Sequence, residues 1–302
     1  MGLASDLAKE QWALLRRDRR GWGEHLAHIR GFLGEGLQAG GAGPAVILGA
    51  GSGLEVPWKL APPGSVGWDA DPWSRAWTLA RHRRWAPWVF ADLTGGFAEL
   101  AEVSRRAALQ PWSGRLRPTR KAALRLAGLL ETLHPDAGPL RRWLRERRPG
   151  RILAANVMGQ FGVVAQRVVE KAFAGRSPWV EDPELRDPLA VALDAWTARA
   201  VRAFLGALAD SGADLWLVHD RGVLFGPSAV ALGPLTDPWL AQVRAATPLE
   251  ASDSLCGVEV RAEFPGREVE RHQRWLWPVA PEQVHVMEAL RVPGRPAGNA
   301  LR

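Results

Sequence analysis

The chain has 302 residues, 47% of them hydrophobic and 24% charged, enough for one large domain or two small ones of roughly 150 residues, and a wholly disordered chain is excluded. It carries a net charge of +7, one cysteine and no tyrosine. That rules out an intrachain disulfide, a CxxC redox pair, a multi-cysteine zinc site and any mechanism that needs a tyrosine acid, base or nucleophile.

No stretch of about 18 residues is continuously apolar; the richest run, 152–165, is broken by Asn156 and Gln160. The opening MGLASDLAKEQW has neither the basic start nor the apolar segment of a signal peptide, and Asp6 stands where a myristoylation signal needs Ser or Thr. The chain therefore reads as cytoplasmic, with no membrane span.

Residues 5–38 place Leu7, Trp12, Leu14, Leu15, Trp22, Leu26, Ile29 and Phe32 at helical spacing, with a break expected near Gly21 to Gly23, and 1–44 form an N-terminal helical extension closed by a glycine-rich loop. The period then changes. Ala45 to Leu48, Ser65 to Trp68 and Trp88 to Ala91 are short apolar runs separated by helix-length segments, one of them Pro72 to Arg83. This is the rhythm of βαβ units around a parallel sheet buried on both faces.

Residues 95–149 interrupt that rhythm with two expected helices, Thr119 to His134 and Pro139 to Arg148. Lysine occurs only at positions 9, 59, 121 and 171, so the charge is carried by 35 arginines, and Arg105 to Arg151 holds 13 basic against 3 acidic residues. In the second helix Leu140, Trp143 and Leu144 form an apolar stripe, with Arg141, Arg142, Arg145, Arg147 and Arg148 mostly off it. The insertion suits RNA phosphates, with Trp112 and Trp143 as stacking faces, an acidic protein, an anionic membrane surface, or a lid over a small-molecule pocket; a solvated helical face fits equally.

The strand pattern resumes with Arg151 to Ala155, a helix over Val163 to Phe173, a long amphipathic helix over Leu189 to Asp210 and a fifth strand over Leu215 to Val218. Leu255 to Phe264 and Arg274 to Val279 read as a closing antiparallel pair, Cys256 as a small core residue, and 293–302 as a flexible tail.

The segment AVILGAGSGLEV runs a buried strand straight into Gly49, Gly51 and Gly53, and Asp69 ends the next strand. Glycines let the backbone turn sharply against a ligand, and a carboxylate beyond the second strand accepts from ribose hydroxyls, so the pattern describes a nucleoside-cofactor crevice. The spacing is GxGxG rather than GxGxxG, and Pro57 leaves a short first helix, which disfavours a dinucleotide. The same residues also fit a ligand-free turn, with Asp69 and Asp92 as helix caps or turn residues.

With GAGSG after the first strand, GWDADP after the second and FADLTGG after the third, the chain from about Ala45 to Val279, within an expected domain of 45–292, resembles the class I S-adenosylmethionine-dependent methyltransferases. The resemblance implies a Rossmann-like, mostly parallel sheet of seven strands in the order 3-2-1-4-5-7-6, the seventh antiparallel. It also implies S-adenosylmethionine as cofactor. Gly49, Ala50, Gly51, Ser52 and Gly53 would face its methionine part, Asp69 and Ala70 its ribose, and Asp92 and Leu93 its adenine.

After strand four the chain reads AANVMGQFG, without the Asp or Asn followed by Pro-Pro and an aromatic that members methylating nucleobase or amide nitrogens often carry. Asn156 and Gln160 still lie at a strand's carboxyl end, where sheet crevices bind ligands, as does His219 before Asp220. These three are the candidates for the acceptor side, and Asn156 also for the cofactor. The expected reaction is methyl transfer to an acceptor, a small molecule ahead of RNA or protein. The rivals are an NAD-dependent oxidoreductase and a non-catalytic nucleic-acid-binding protein on the same fold.

Overall fold

A computed structural model of the chain describes residues 19–39, 43–83, 86–109, 118–173, 187–226, 250–280 and 282–295. The parallel sheet forms as its short apolar runs require. β1 (Ala45–Leu48) pairs with β2 (Val66–Asp69) and with β4 (Arg151–Ala155), β2 pairs with β3 (Trp88–Phe90), and β4 pairs with β5 (Asp214–Phe225), all in parallel. Alternation along each strand splits the core between two faces. Val46, Leu48, Ile152 and Ala154 face one apolar cluster, while Ala45, Ile47, Leu153 and Ala155 face the other.

The second cluster is covered by α1 (Arg19–Gln38), which runs unbroken through Gly21 and Gly23. Trp22, Ile29, Phe32 and Leu33 are buried there, and this packing holds the helix through residues of low helix propensity. The first cluster is covered by α3 (Phe97–Leu109), α4 (Pro118–Thr132), α5 (Gly138–Arg147), α6 (Gln160–Ala172) and α7 (Pro188–Ser211). α2 (Ser74–His82) joins β2 to β3.

Among its described residues the insertion contributes three helices where two were expected, and Trp112 lies outside the described residues. Helices α4 and α5 pack on α7, and Arg199 of α7 donates to the carbonyls of Leu130 and Leu133 at the end of α4. The arginine face of α5 is solvated: Leu140 and Leu144 are buried while Arg142, Arg145, Arg147 and Arg148 are exposed.

The closing pair lies later than the sequence suggests. β7 (Glu270–Ala280) pairs antiparallel with β8 (Gln283–Val292), which pairs antiparallel with β5, and β6 (Glu250–Asp253) adds to the far half of β5. Residues 254–264 form turns and a 3-10 helix rather than a strand. Cys256 is half-buried at φ 52°, its Sγ 3.8 Å from Asp194 Oδ1. At the start of the expected tail Arg295 N donates to Gly212 O at 2.9 Å, and 296–302 lie outside the described residues.

The strand order is β3-β2-β1-β4-β5-β8-β7. With β6 set aside, it is the order 3-2-1-4-5-7-6 with the seventh strand antiparallel. Among the described residues no helix is long and apolar enough to cross a membrane.

Candidate functional site

The glycine turn is built around close approaches. Gly49 has φ 64°, and a Cβ there would lie 2.5 Å from Val157 Cβ on the β4–α6 turn, so only glycine lets the two turns meet. Gly51 has φ 50°, and its N–H donates to Asp69 Oδ2 at 2.7 Å, while Asp69 Oδ1 accepts from Asp71 N at 2.8 Å. Burial pushes the Asp69 carboxyl above its ordinary value against the lowering effect of these N–H donors.

The turn uses its donors internally. Gly49 N and Ala50 N donate to Trp68 O, Gly53 N to Ala50 O, and Gly51 N to Asp69. Asp92 likewise serves its own loop: Oδ1 accepts from Thr94 N and Thr94 Oγ1, each at 2.8 Å, and Oδ2 from Phe97 N at the start of α3 at 2.8 Å. The capping role for Asp92 is thus realised; Leu93 beside it is buried.

These elements enclose a cavity of about 460 Å³ at the carboxyl ends of β1 to β4, within the range of small-molecule sites. Every residue assigned to the cofactor crevice lines it except Gly53, and Asn156 and Gln160 line it as well. Gly53 instead supports α2: a Cβ there would meet Thr78 Oγ1 at 2.7 Å, and its carbonyl lies 2.8 Å from His82 Nε2. Among the described residues four carboxylates line the cavity, those of Glu55, Asp69, Asp71 and Asp92, and no lysine or arginine does, in a chain of net charge +7. Among the described residues of 95–149, Phe97 lines it.

Asn156 occupies the left-handed region at φ 49°. Its backbone N–H donates to Val218 O at 2.9 Å and its Oδ1 accepts from Asp220 N at 3.0 Å. Behind it, Asp220 Oδ2 lies 2.5 Å from His285 Nδ1, and His285 Nε2 lies 2.9 Å from Gln283 Nε2.

His219 is not where the sequence reading puts it. The apolar run ends at Val218, but β5 continues to Phe225 because β8 pairs with it laterally. His219 is therefore an interior strand residue, 0% exposed, 3.5 Å from Glu288 Oε2 and away from the cavity.

Sequence reasoning missed Trp22 and Glu55. Both line the cavity, and Glu55 Oε1 lies 3.1 Å from Nε2 of the fully buried His25 on α1. Glu55 stands in the quoted glycine segment, but nothing near it marks a partner, because His25 is 30 positions away.

No family profile and no curated protein sequence matches the chain. Two solved structures of the N-methyltransferase NodS from Bradyrhizobium japonicum WM9 are similar to it. One, in complex with S-adenosyl-L-homocysteine, has a TM-score of 0.37 and 11% identity over 91% of this chain and 88% of that one. The other has a TM-score of 0.39 and 13% identity over 91% of this chain and 98% of that one. The fold reading rests on strand order and register: by these the chain has the Rossmann-like fold of the class I methyltransferases.

Proposed function

We propose that the protein is an S-adenosylmethionine-dependent methyltransferase and that the cavity at the ends of β1 to β4 holds the cofactor. The observation that carries this reading is the lining: four carboxylates and no basic side chain among the described residues. Such a surface favours a cationic sulfonium nucleoside and opposes a dinucleotide, whose pyrophosphate needs N–H donors or cations. The glycine turn strengthens the contrast, since its N–H groups at 49, 50, 51 and 53 are already used within the protein.

The residues present fit the cofactor. A carboxylate oxygen has two lone pairs, and the Asp69 oxygens, which take one backbone N–H each and lie near Ser74, keep capacity to accept from a ribose hydroxyl. Asp92 Oδ2, with one donor, retains capacity for an adenine amino group, and buried Leu93 offers an apolar surface to the ring. The backbone of 49–52 borders the methionine part. When bound, the cofactor supplies a methyl group on a positively charged sulfur, an electrophile for which alignment is worth more than a strong base. Asn156 and Gln160, on the β4 side of the cavity, orient the acceptor, while Phe97, Phe161 and Val164 keep the interior apolar and exclude water.

Calorimetric titration with S-adenosylmethionine, S-adenosylhomocysteine and NAD tests this. Both sulfur compounds should bind with Kd on the order of micromolar and NAD should give no heat, while Ala70→Trp, which fills the cavity from its exposed rim, should weaken binding by about tenfold or more. Absence of heat from either sulfur compound, or binding of NAD, rejects the reading.

A further inference from the structure

Glu55 is set into the cavity wall by a buried relay of three residues. Trp275 of β7 donates its indole Nε1–H to His25 Nδ1 at 3.2 Å, and His25 Nε2 lies 3.1 Å from Glu55 Oε1. An indole N–H only donates, so His25 Nδ1 must accept, its proton sits on Nε2, and that proton is donated to Glu55. His25 is 0% exposed and stacked on Trp277 with ring centroids 3.9 Å apart, while the Glu55 side chain is 20% exposed. The relay therefore orients the Glu55 carboxylate: with Trp275 donating to Nδ1, the Nε2–H of His25 points at Oε1.

From the other side Arg30 donates through Nε and Nη2 to the Leu54 carbonyl, fixing the backbone next to Glu55; its charge acts on the Glu55 carboxylate, but it does not line the cavity. Trp22 adds an aromatic ring to the lining of the same cavity and packs edge-on against Trp277 at 4.7 Å. Trp277 in turn contacts His285, which is bonded to Asp220, whose N–H is held by Asn156. The wall carrying Glu55 is thus continuous with the β4 side of the cavity.

We infer that Glu55 is the receptor for the ammonium group of the methyl acceptor, so that the acceptor is an amine. This rests on the methyltransferase reading. A carboxylate and an aromatic ring in the wall of one cavity, which no lysine or arginine among the described residues lines, select an ammonium group over neutral or anionic groups. Glu55 takes one proton from the ammonium, and the freed nitrogen lone pair forms the new C–N bond with the cofactor's methyl group. The C–S bond breaks with its electron pair remaining on sulfur. The N-methylammonium product keeps the positive charge, and Glu55 passes its proton to solvent.

The test is calorimetric titration of the full chain, with and without saturating S-adenosylhomocysteine, against butylamine, phenethylamine and tryptamine and against the alcohol and carboxylate of each skeleton. At least one amine should bind about tenfold or more tightly than its neutral and anionic counterparts. Glu55→Gln, which still accepts from His25, should abolish that preference and leave S-adenosylhomocysteine affinity within about twofold.

Trp275→Phe removes the donor that fixes the His25 tautomer. It should weaken the amine by about threefold or more and leave the matched alcohol and carboxylate unchanged, whereas a merely structural defect would weaken all three.

No ammonium preference in any skeleton, or a preference that survives Glu55→Gln, overturns the proposal. So does a Glu55→Gln protein that binds S-adenosylhomocysteine poorly but 5′-methylthioadenosine normally, since Glu55 would then hold the cofactor's own amino group. Failure of S-adenosylhomocysteine to bind at all rejects the methyltransferase reading alone, because the amine titration without it still reads Glu55.

Discussion

Asn156 and Asp220 lie 64 positions apart and are joined by a buried hydrogen bond of 3.0 Å from the Asp220 N–H to Asn156 Oδ1. The bond hangs the β4–α6 turn from β5 and sets the carboxyl edge on the β4 side of the cavity. Gly159 completes the contact, since a Cβ there would lie 2.8 Å from Asp220 Cβ.

Two substitutions separate the parts of this link. Asn156→Ala loses the bond and places alanine at φ 49°, and should cost about 2 kcal/mol in denaturant unfolding. Asn156→Gly relieves the backbone and should cost about 1 kcal/mol. Equal losses would show that backbone conformation contributes nothing there.

Gly49 and Gly51 both have positive φ but different surroundings. A Cβ at Gly49 would meet Val157 Cβ at 2.5 Å, whereas at Gly51 the nearest atom is Gly49 O at 3.8 Å. Gly51→Ala should therefore cost only its backbone strain, about 1 kcal/mol, and Gly49→Ala about 2 kcal/mol more. Adding Val157→Ala should recover part of the Gly49→Ala loss and nothing of the Gly51→Ala loss.

The Asp69 carboxyl is raised in the folded protein above its ordinary 3.8. Between the unfolded value and the raised one, the native state binds more protons, so this group's contribution to stability falls as pH rises through that window. Stability measured relative to Asp69→Asn should decline in the same direction. S-adenosylhomocysteine affinity should move oppositely, falling as pH drops through the raised value, and Asp69→Asn should remove that dependence. Calorimetry from pH 7 downwards reads both.

Burial and the nearby carboxylates of Asp194 and Asp253 push the Cys256 thiol up to about 12. The thiolate is the reactive form, so iodoacetamide should modify the native protein slowly at pH 8. The rate should climb steeply as pH approaches the raised value, and unfolding at pH 8 should release reactivity. Rapid native labelling at pH 8 would contradict this environment.

The parallel half of the sheet was legible because its information is local. Apolar runs at 45–48, 66–69 and 151–155 are buried on both faces, so each strand announces itself without reference to its neighbours. The glycine turn, Asp69 and Asp92 were legible for the same reason: backbone conformation and carboxylates at strand ends are set by residues within a few positions. What escaped was lateral or distant. β5 runs past Val218 to Phe225 only because β8 pairs with it, which moves His219 from an expected turn into the strand interior. The hairpin at 270–292 mixes polar and apolar residues, and its pairing outweighs the cleaner apolar pattern of 255–264.

The site divides the same way. Asp69 and Gly51 sit 18 positions apart at adjacent strand ends, and both line the cavity. Trp275 and Glu55 reach His25 across 250 and 30 positions. No periodicity or spacing encodes such contacts. The packing of α1 between the glycine turn and β7 brings them together, and the Trp275 indole then fixes the histidine tautomer that orients Glu55 in the cavity wall.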